Sequence, residues 1–187
     1  EQNEDLAVEP EQRLDLSLME PTPEQEQNLN ILYKDLASKQ QCTRVLYGIT
    51  GSGKTLVYLF LAKACLQMGR SVLLLVPEVA LALKLWETVL DSFPENQCLL
   101  YHGYQRQKNR EDAFINSAKC ELPKVVVGTR SALFLPLHNL GLIVLDEEHD
   151  ESFKQDEGLG YQAKELAYYL AALNQGLLLL GSATPDV

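Results

Sequence analysis

Apolar residues along this chain follow two alternating rhythms. Short, nearly unbroken runs such as SVLLLV (71–76) and LGLIVL (140–145) read as buried strands. Between them lie longer stretches in which apolar positions recur every three or four residues, the spacing of one helix face. On this pattern strands are predicted over Thr43–Tyr47, Ser71–Val76, Gln97–Tyr101, Lys124–Val127, Leu140–Leu145 and Leu177–Leu180. Helices are predicted over Lys54–Met68, Glu78–Phe93, Tyr104–Ala118 and Gln162–Asn174. An earlier helix starts at Thr22-Pro23-Glu24-Gln25. Thr22 is placed to cap it, Pro23 to open it, and Gln25 to reach back to the Thr22 N–H as a capping box. Leu29, Leu32, Tyr33 and Leu36 follow at helical spacing. Continuously apolar strands alternating with helices predict an α/β fold, a mainly parallel central sheet with helices on both faces. Residues 1–20 lack this periodicity and read as a linker or edge segment, which leaves 21–187 for one domain.

Composition changes this picture little. With 46% hydrophobic and 22% charged residues, the 187-residue chain has ordinary globular usage and enough length for one substantial core. No run of about 18 uninterrupted apolar residues occurs, so no membrane span is expected. The acidic, polar start lacks the pattern of a secretory leader. The absence of an initiator Met points to a piece of a longer protein. Cys42, Cys65, Cys98 and Cys120 are widely spaced, with no Cys-x-x-Cys pair. They read as small core residues in a reducing compartment and not as zinc ligands. The net charge of −10 argues against a broad nucleic-acid surface, although −6 of it lies in residues 1–20. A local groove remains compatible with that balance, but the chain alone is expected to bind nucleic acid weakly.

Two segments carry chemistry. Gly48-Ile49-Thr50-Gly51-Ser52-Gly53-Lys54-Thr55 fits G-x-x-x-x-G-K-[ST] in full, between a strand and a helix. Glycines let successive N–H groups turn toward one anion, and the helix N-terminus adds positive charge there. Gly48, Thr50, Gly51, Ser52, Gly53, Lys54 and Thr55 are therefore candidate nucleotide-binding residues. Lys54 would reach the β- and γ-phosphates and Thr55 would place its hydroxyl on Mg²⁺. The expected cofactors are ATP and Mg²⁺. The second segment is the strand Leu142–Leu145 running into Asp146-Glu147-Glu148-His149. Ligands of open α/β sheets sit at the carboxyl ends of strands. Asp146 would hold Mg²⁺, and Glu147 would orient or deprotonate an attacking water. A kinase must exclude water, so this pair points to hydrolysis. Glu148 reads as exposed or structural, and His149 as a relay of the nucleotide state to a partner domain. Lys54, Asp146, Glu147 and His149 form the candidate catalytic set.

Asp146–His149 is a D-E-x-H box, and Gly181-Ser182-Ala183-Thr184 resembles the third motif of superfamily 2 helicases. Five strings carry a closer resemblance, to the primosomal replication-restart helicases: GITGSGKTLVYL (48–59), LLVPEVAL (74–81), VVVGTRSALFLPL (125–137), LIVLDEEHDESFKQDEG (142–158) and LGSATPDV (180–187). They span about 140 residues in the expected order. The resemblance implies a RecA-like P-loop NTPase domain, the first of two in an ATP-driven 3′-to-5′ DNA helicase of primosome assembly and fork restart. It implies that Gln25 reads adenine, that the loops of Pro77, Glu78, Thr129 and Arg130 touch single-stranded DNA, and that Ser182 and Thr184 couple hydrolysis to that contact. Its place at a strand end also makes Arg130 a phosphate clamp or a surface ion pair. The Tyr101-His102-Gly103 loop is a lesser candidate. The partners implied are single-stranded or forked DNA and other primosome and restart proteins, with no membrane, in a bacterial cytoplasm.

The chain departs from that family after the D-E-x-H box. The family has a large aromatic followed by Arg-Tyr-His-Ala-Arg, where this sequence reads Leu159-Gly160-Tyr161-Gln162-Ala163-Lys164. Tyr161 and Lys164 are kept, and Phe153 lies upstream, which leaves Phe153 and Tyr161 as the aromatic nucleic-acid candidates. With one stacking face lost, weaker stimulation by DNA is expected. The resemblance also implies parts that this sequence does not include. These are a second RecA-like domain with an arginine finger, a cysteine-rich zinc-binding insertion and N-terminal DNA-binding domains. Zinc is expected only there, and this piece is expected to bind nucleotide but hydrolyse it very slowly. Two other readings stay open: a superfamily 2 translocase of another branch, and a non-catalytic ATP-gated interaction module.

Overall fold

Side chains of a strand point alternately to its two faces, so a strand apolar at every position must be covered on both. The computed structural model, which describes residues 16, 18–49, 51–155 and 160–183, builds the middle of its sheet from such strands and carries more exposed ones at the two edges. They are β1 (Cys42–Tyr47), β2 (Ser71–Leu75), β3 (Cys98–Tyr101), β4 (Val125–Gly128), β5 (Leu140–Leu145) and β8 (Leu177–Ser182). All six are parallel, in the order β1-β8-β5-β2-β4-β3. A separate antiparallel hairpin pairs β6 (Lys154–Gln155) with β7 (Tyr161–Gln162).

The alternation divides the core in two. Val72, Leu74, Val125, Val127, Leu142, Val144, Leu177 and Leu179 face α1 (Pro23–Ala37), α2 (Lys54–Gln67) and α3 (Val79–Ser92). Leu73, Leu75, Val126, Ile143, Leu145, Leu178 and Leu180 face α5 (Ala163–Leu173) and the 3₁₀ turn Arg130–Phe134. Each fully buried Leu or Val contributes roughly 1.5–3 kcal/mol of transfer free energy. Helix α2 buries Val57, Tyr58, Leu59, Leu61, Ala62 and Cys65, because α1 covers the side that the sheet does not. Helix α5 buries Ala163, Ala167 and Ala171, small residues four apart that let its backbone approach the sheet. The Arg44 guanidinium grips the Asp35 carboxylate at 2.7 and 3.0 Å, tying α1 to the β1 edge.

The elements differ from the sequence prediction where polar side chains bind backbone. Helix α4 was expected from Tyr104 and spans Gln107–Lys119. Gln105 is the reason: its Oε1 accepts from the His102 N–H at 3.1 Å and its Nε2 donates to the Leu100 carbonyl at 3.1 Å, holding a turn ahead of the helix. Strand β8 runs two residues beyond its apolar stretch because Gly181 and Ser182 pair with Leu46 and Tyr47. The 3₁₀ turns and the β6–β7 hairpin had no apolar rhythm to announce them. Thr50, Leu159, Thr184 and nearly all of the proposed 1–20 segment lie outside the described residues.

Candidate active site

The carboxyl ends of β1, β8 and β5 lie side by side, and the two sequence motifs meet there. Beyond β1 the loop turns through Gly51 and Gly53 at φ +84° and +82°, a left-handed backbone that glycine adopts without strain. Gly53 is also the N-cap of α2 and offers no side chain to the helix amides, which leaves that end open to an anion. A Cβ at Gly53 would stand 2.4 Å from Gln25 Nε2. Gln25 forms the predicted capping box: its Oε1 accepts from the Thr22 N–H at 2.9 Å, and its own N–H donates to Thr22 Oγ1 at 3.3 Å. The same side chain turns Nε2 to the Ser52 and Gly53 carbonyls, each at 3.4 Å, so α1 is joined to the loop.

Lys54 is 9% exposed. Its Nζ donates to the Gly48 carbonyl at 2.6 Å and lies 3.7 Å from Glu147 Oε1. At the end of β5, Asp146 accepts from the Tyr58 phenol at 2.8 Å. Burial pushes the Asp146 carboxyl up from its ordinary range, while that hydrogen bond and the nearby ammonium pull it back. Glu147 takes φ +51°, a left-handed conformation that is costly for a residue with a side chain and turns it toward the loop. His149 Nδ1 lies 3.2 Å from Ser182 Oγ and 3.9 Å from Glu147 Oε2, and the Ser182 carbonyl accepts from the Gly48 N–H at 3.1 Å. Gly51, Gly53, Lys54, Thr55, Asp146 and Glu147 line one cleft of about 440 Å³, closed on its far side by α3. Thus the predicted residues Gly48, Gly51, Ser52, Gly53, Lys54, Thr55, Asp146, Glu147, His149 and Ser182 are brought together. Thr50 and Thr184 lie outside the described residues.

A cleft with these parts suits one ligand chemistry. A nearly buried ammonium, an uncapped helix start and a glycine loop accept phosphate oxygens. A carboxylate and a threonine hydroxyl beside them offer hard oxygen ligands.

Residues 22–187 match the model of the DEAD/DEAH box helicase family. The chain belongs to that family. As a DEAD/DEAH box helicase domain it is 37% identical over 186 residues to the replication restart protein PriA of Chlamydia trachomatis, covering 98% of this chain and 24% of that one. It is 43% identical over 143 residues to PriA of Helicobacter pylori, covering 76% and 23%. The Pyrococcus furiosus Hef helicase domain superposes with a TM-score of 0.66 at 26% identity, over 91% of this chain and 34% of that one. The chain spans about a quarter of the length of the curated relatives it matches. Nucleotide binding goes with the family.

The helicase domain carries a second groove, also of about 440 Å³, in which the predicted residues Pro77, Glu78, Thr129 and Arg130 meet Tyr104 and Ser152. Among the described residues Arg130 forms no ion pair, and part of its guanidinium is engaged by backbone. Its Nη1 donates to the Ser152 carbonyl at 2.8 Å and to that of Lys154, so it pins the segment after the D-E-x-H box. Phe153 requires a correction: it is 3% exposed and packed in the core beside α5, with no face left for a base. Tyr161 is half-buried and packs edge-on against the exposed Phe134, centroids 5.2 Å apart. His102 is buried, which lowers its imidazole below the usual range, and it lines neither groove. Glu148, read as exposed or structural, has a buried side chain and pairs with Lys164 at the start of α5. Tyr104, Phe134 and Tyr58 were missed. Tyr104 opens a polar stretch, Phe134 sits in the apolar run Ala132–Leu137, and Tyr58 is hidden in an apolar helix.

Proposed function

We propose that this chain is the ATP-binding motor domain, the first of two RecA-like domains, of a 3′-to-5′ DNA helicase acting in primosome assembly and replication-fork restart. The observation that carries the hydrolytic part is the Lys54–Glu147 approach, which brings phosphate-loop cation and candidate base to one cleft. The restart assignment rests on similarity to PriA over most of the chain. The donor set fits a magnesium–nucleotide complex: Thr55 and Asp146 would hold the cation, directly or through water, and Lys54 the phosphates. When bound, that complex supplies the phosphoanhydride to be cleaved and neutralises part of its charge.

The chain's own residues do the rest. Lys54 exchanges the Gly48 carbonyl for phosphate oxygens. Glu147, held in its strained turn, orients the attacking water and takes its proton. Gln25 recognises the adenine edge from the start of α1. His149 and Ser182 link the state of Glu147 to β8 and so, with Thr184, to the DNA-binding face. The groove of Pro77, Glu78, Thr129 and Arg130, with Tyr161 beyond it, is the track for single-stranded DNA. Other restart proteins are partners of the whole assembly, in the bacterial cytoplasm. Among the described residues no helix is long and apolar enough to cross a membrane.

The test is ATP hydrolysis by the protein carrying this domain, with single-stranded DNA and with RNA of the same length. We expect DNA to stimulate turnover and Glu147→Gln to abolish it while nucleotide stays bound. Stimulation by RNA alone would move the domain to another branch of translocases. Turnover unchanged in Glu147→Gln would remove Glu147 from the mechanism.

A further inference from the structure

Tyr58 lies in the second turn of α2, where a helix packed between the sheet and α1 calls for an apolar residue. It is 1% exposed, and a phenylalanine would fill the same space. A buried tyrosine hydroxyl is costly unless it finds a partner. Here the partner is the Asp146 carboxylate, 88 residues away, whose Oδ1 accepts from the phenol at 2.8 Å. A third element is shaped around this contact. Gly181 on β8 passes so close that a Cβ there would stand 1.9 Å from the Tyr58 hydroxyl and 2.7 Å from Asp146 Oδ1. Three separate elements, α2, β5 and β8, therefore agree on one hydrogen bond.

The choice of donor has a chemical meaning. A carboxylate that is to attract a divalent cation must keep its negative charge and a fixed direction. Lysine or arginine at this place would fix the direction but compete with the cation for the charge. A phenol donates without adding charge. A phenol is protonated at neutral pH, so Tyr58 remains a donor. Groups that orient a metal-binding side chain from behind set metal affinity almost as strongly as the ligand itself.

We propose that Tyr58 is a positioning residue for the divalent cation, its phenol holding Asp146 through Oδ1 in the slot left open by Gly181. The inference rests on the nucleotide-binding reading of the cleft and goes beyond it by giving Tyr58 and Gly181 roles.

Binding of a fluorescent ADP analogue by the chain, titrated with Mg²⁺ and repeated in excess EDTA, tests it. In wild type we expect nucleotide binding that Mg²⁺ strengthens, and failure of that control would sink the nucleotide reading itself. In Tyr58→Phe we expect the Mg²⁺ midpoint to rise roughly tenfold or more, with metal-free affinity within about twofold of wild type. An unchanged midpoint in a folded Tyr58→Phe overturns the proposal and leaves the wild-type reading intact. So does an equal loss of affinity in EDTA, which would mean that Tyr58 acts on the loop. Should Tyr58→Phe fail to fold, 3-fluorotyrosine at position 58 keeps the shape and makes a more acidic donor. A Mg²⁺ midpoint shifted by that substitution supports the proposal, and an unmoved one overturns it.

Discussion

An ammonium as deeply buried as that of Lys54 needs oxygen around it, and the structure gives it a carbonyl at 2.6 Å and a carboxylate at 3.7 Å. Both contacts are replaceable by phosphate. Lys54→Ala should therefore cost nucleotide affinity more than stability. A charge-assisted hydrogen bond of about 2 kcal/mol corresponds to a roughly thirtyfold weaker Kd by calorimetry. An unchanged Kd would place the phosphates elsewhere. The second residue to test is Tyr104, 90% exposed at the rim of the groove that holds Arg130. With Phe153 in the core, Tyr104 and the Phe134–Tyr161 pair are the aromatic faces near that track. Tyr104→Ala should weaken single-strand binding by about 1–3 kcal/mol, measured by fluorescence anisotropy, at constant nucleotide affinity. Loss of both affinities together would instead indicate damage to the fold.

At the scale of elements, α1 shows what sequence can and cannot announce. Its start was legible because Thr22, Pro23 and Gln25 act on the backbone within one turn. The link from Gln25 to the phosphate loop was not, since it spans 27 and 28 residues and depends on how α1 docks. The two functions separate by mutation. Thr22→Ala should lower stability by about 1 kcal/mol and leave nucleotide affinity within about twofold. Gln25→Ala should cost a similar stability and also weaken adenine-nucleotide binding. Equal affinities in the two variants would confine Gln25 to the cap. The central strands were legible for the same local reason, β2, β4 and β5 being short runs of almost wholly apolar residues. The tie between Glu148 and Lys164 was not, because one lies in an acidic turn and the other in the first turn of a helix further along the chain. Phe153 was misplaced because the resemblance set it beside the altered aromatic loop, whereas the 3₁₀ turn Glu151–Phe153 swings it inward. Lys164 is 40% exposed and the Glu148 side chain 3%, so removing the lysine withdraws a partner from a buried carboxylate. Lys164→Ala should cost about 1–3 kcal/mol in thermal or urea unfolding, and Glu148→Gln should recover part of it in the double variant. Additive losses would show that the pair is not coupled.

For the whole molecule, the question is how much of an active site one sheet can supply. On the proposed reading, the carboxyl ends of β1, β8 and β5 bind phosphate, hold a cation and handle water. Among the described residues, the cations lining the cleft are Lys54 and Lys84, with no arginine beside them. Charge that develops on the transferring phosphoryl group exceeds what one loop lysine neutralises, and an arginine from another domain is worth about 10³–10⁵ in rate for such enzymes. On the proposed reading, the described residues of the cleft bind the nucleotide and offer no arginine for the transition state. The 187-residue chain should bind a fluorescent ADP analogue with affinity close to that of a longer protein built like its relatives. Single-turnover hydrolysis should be at least about 10³-fold slower in the 187-residue chain, at saturating nucleotide and Mg²⁺. Comparable rates in the two would mean that Lys54 and Lys84 suffice, and the proposed second RecA-like domain would not be needed to complete the chemistry.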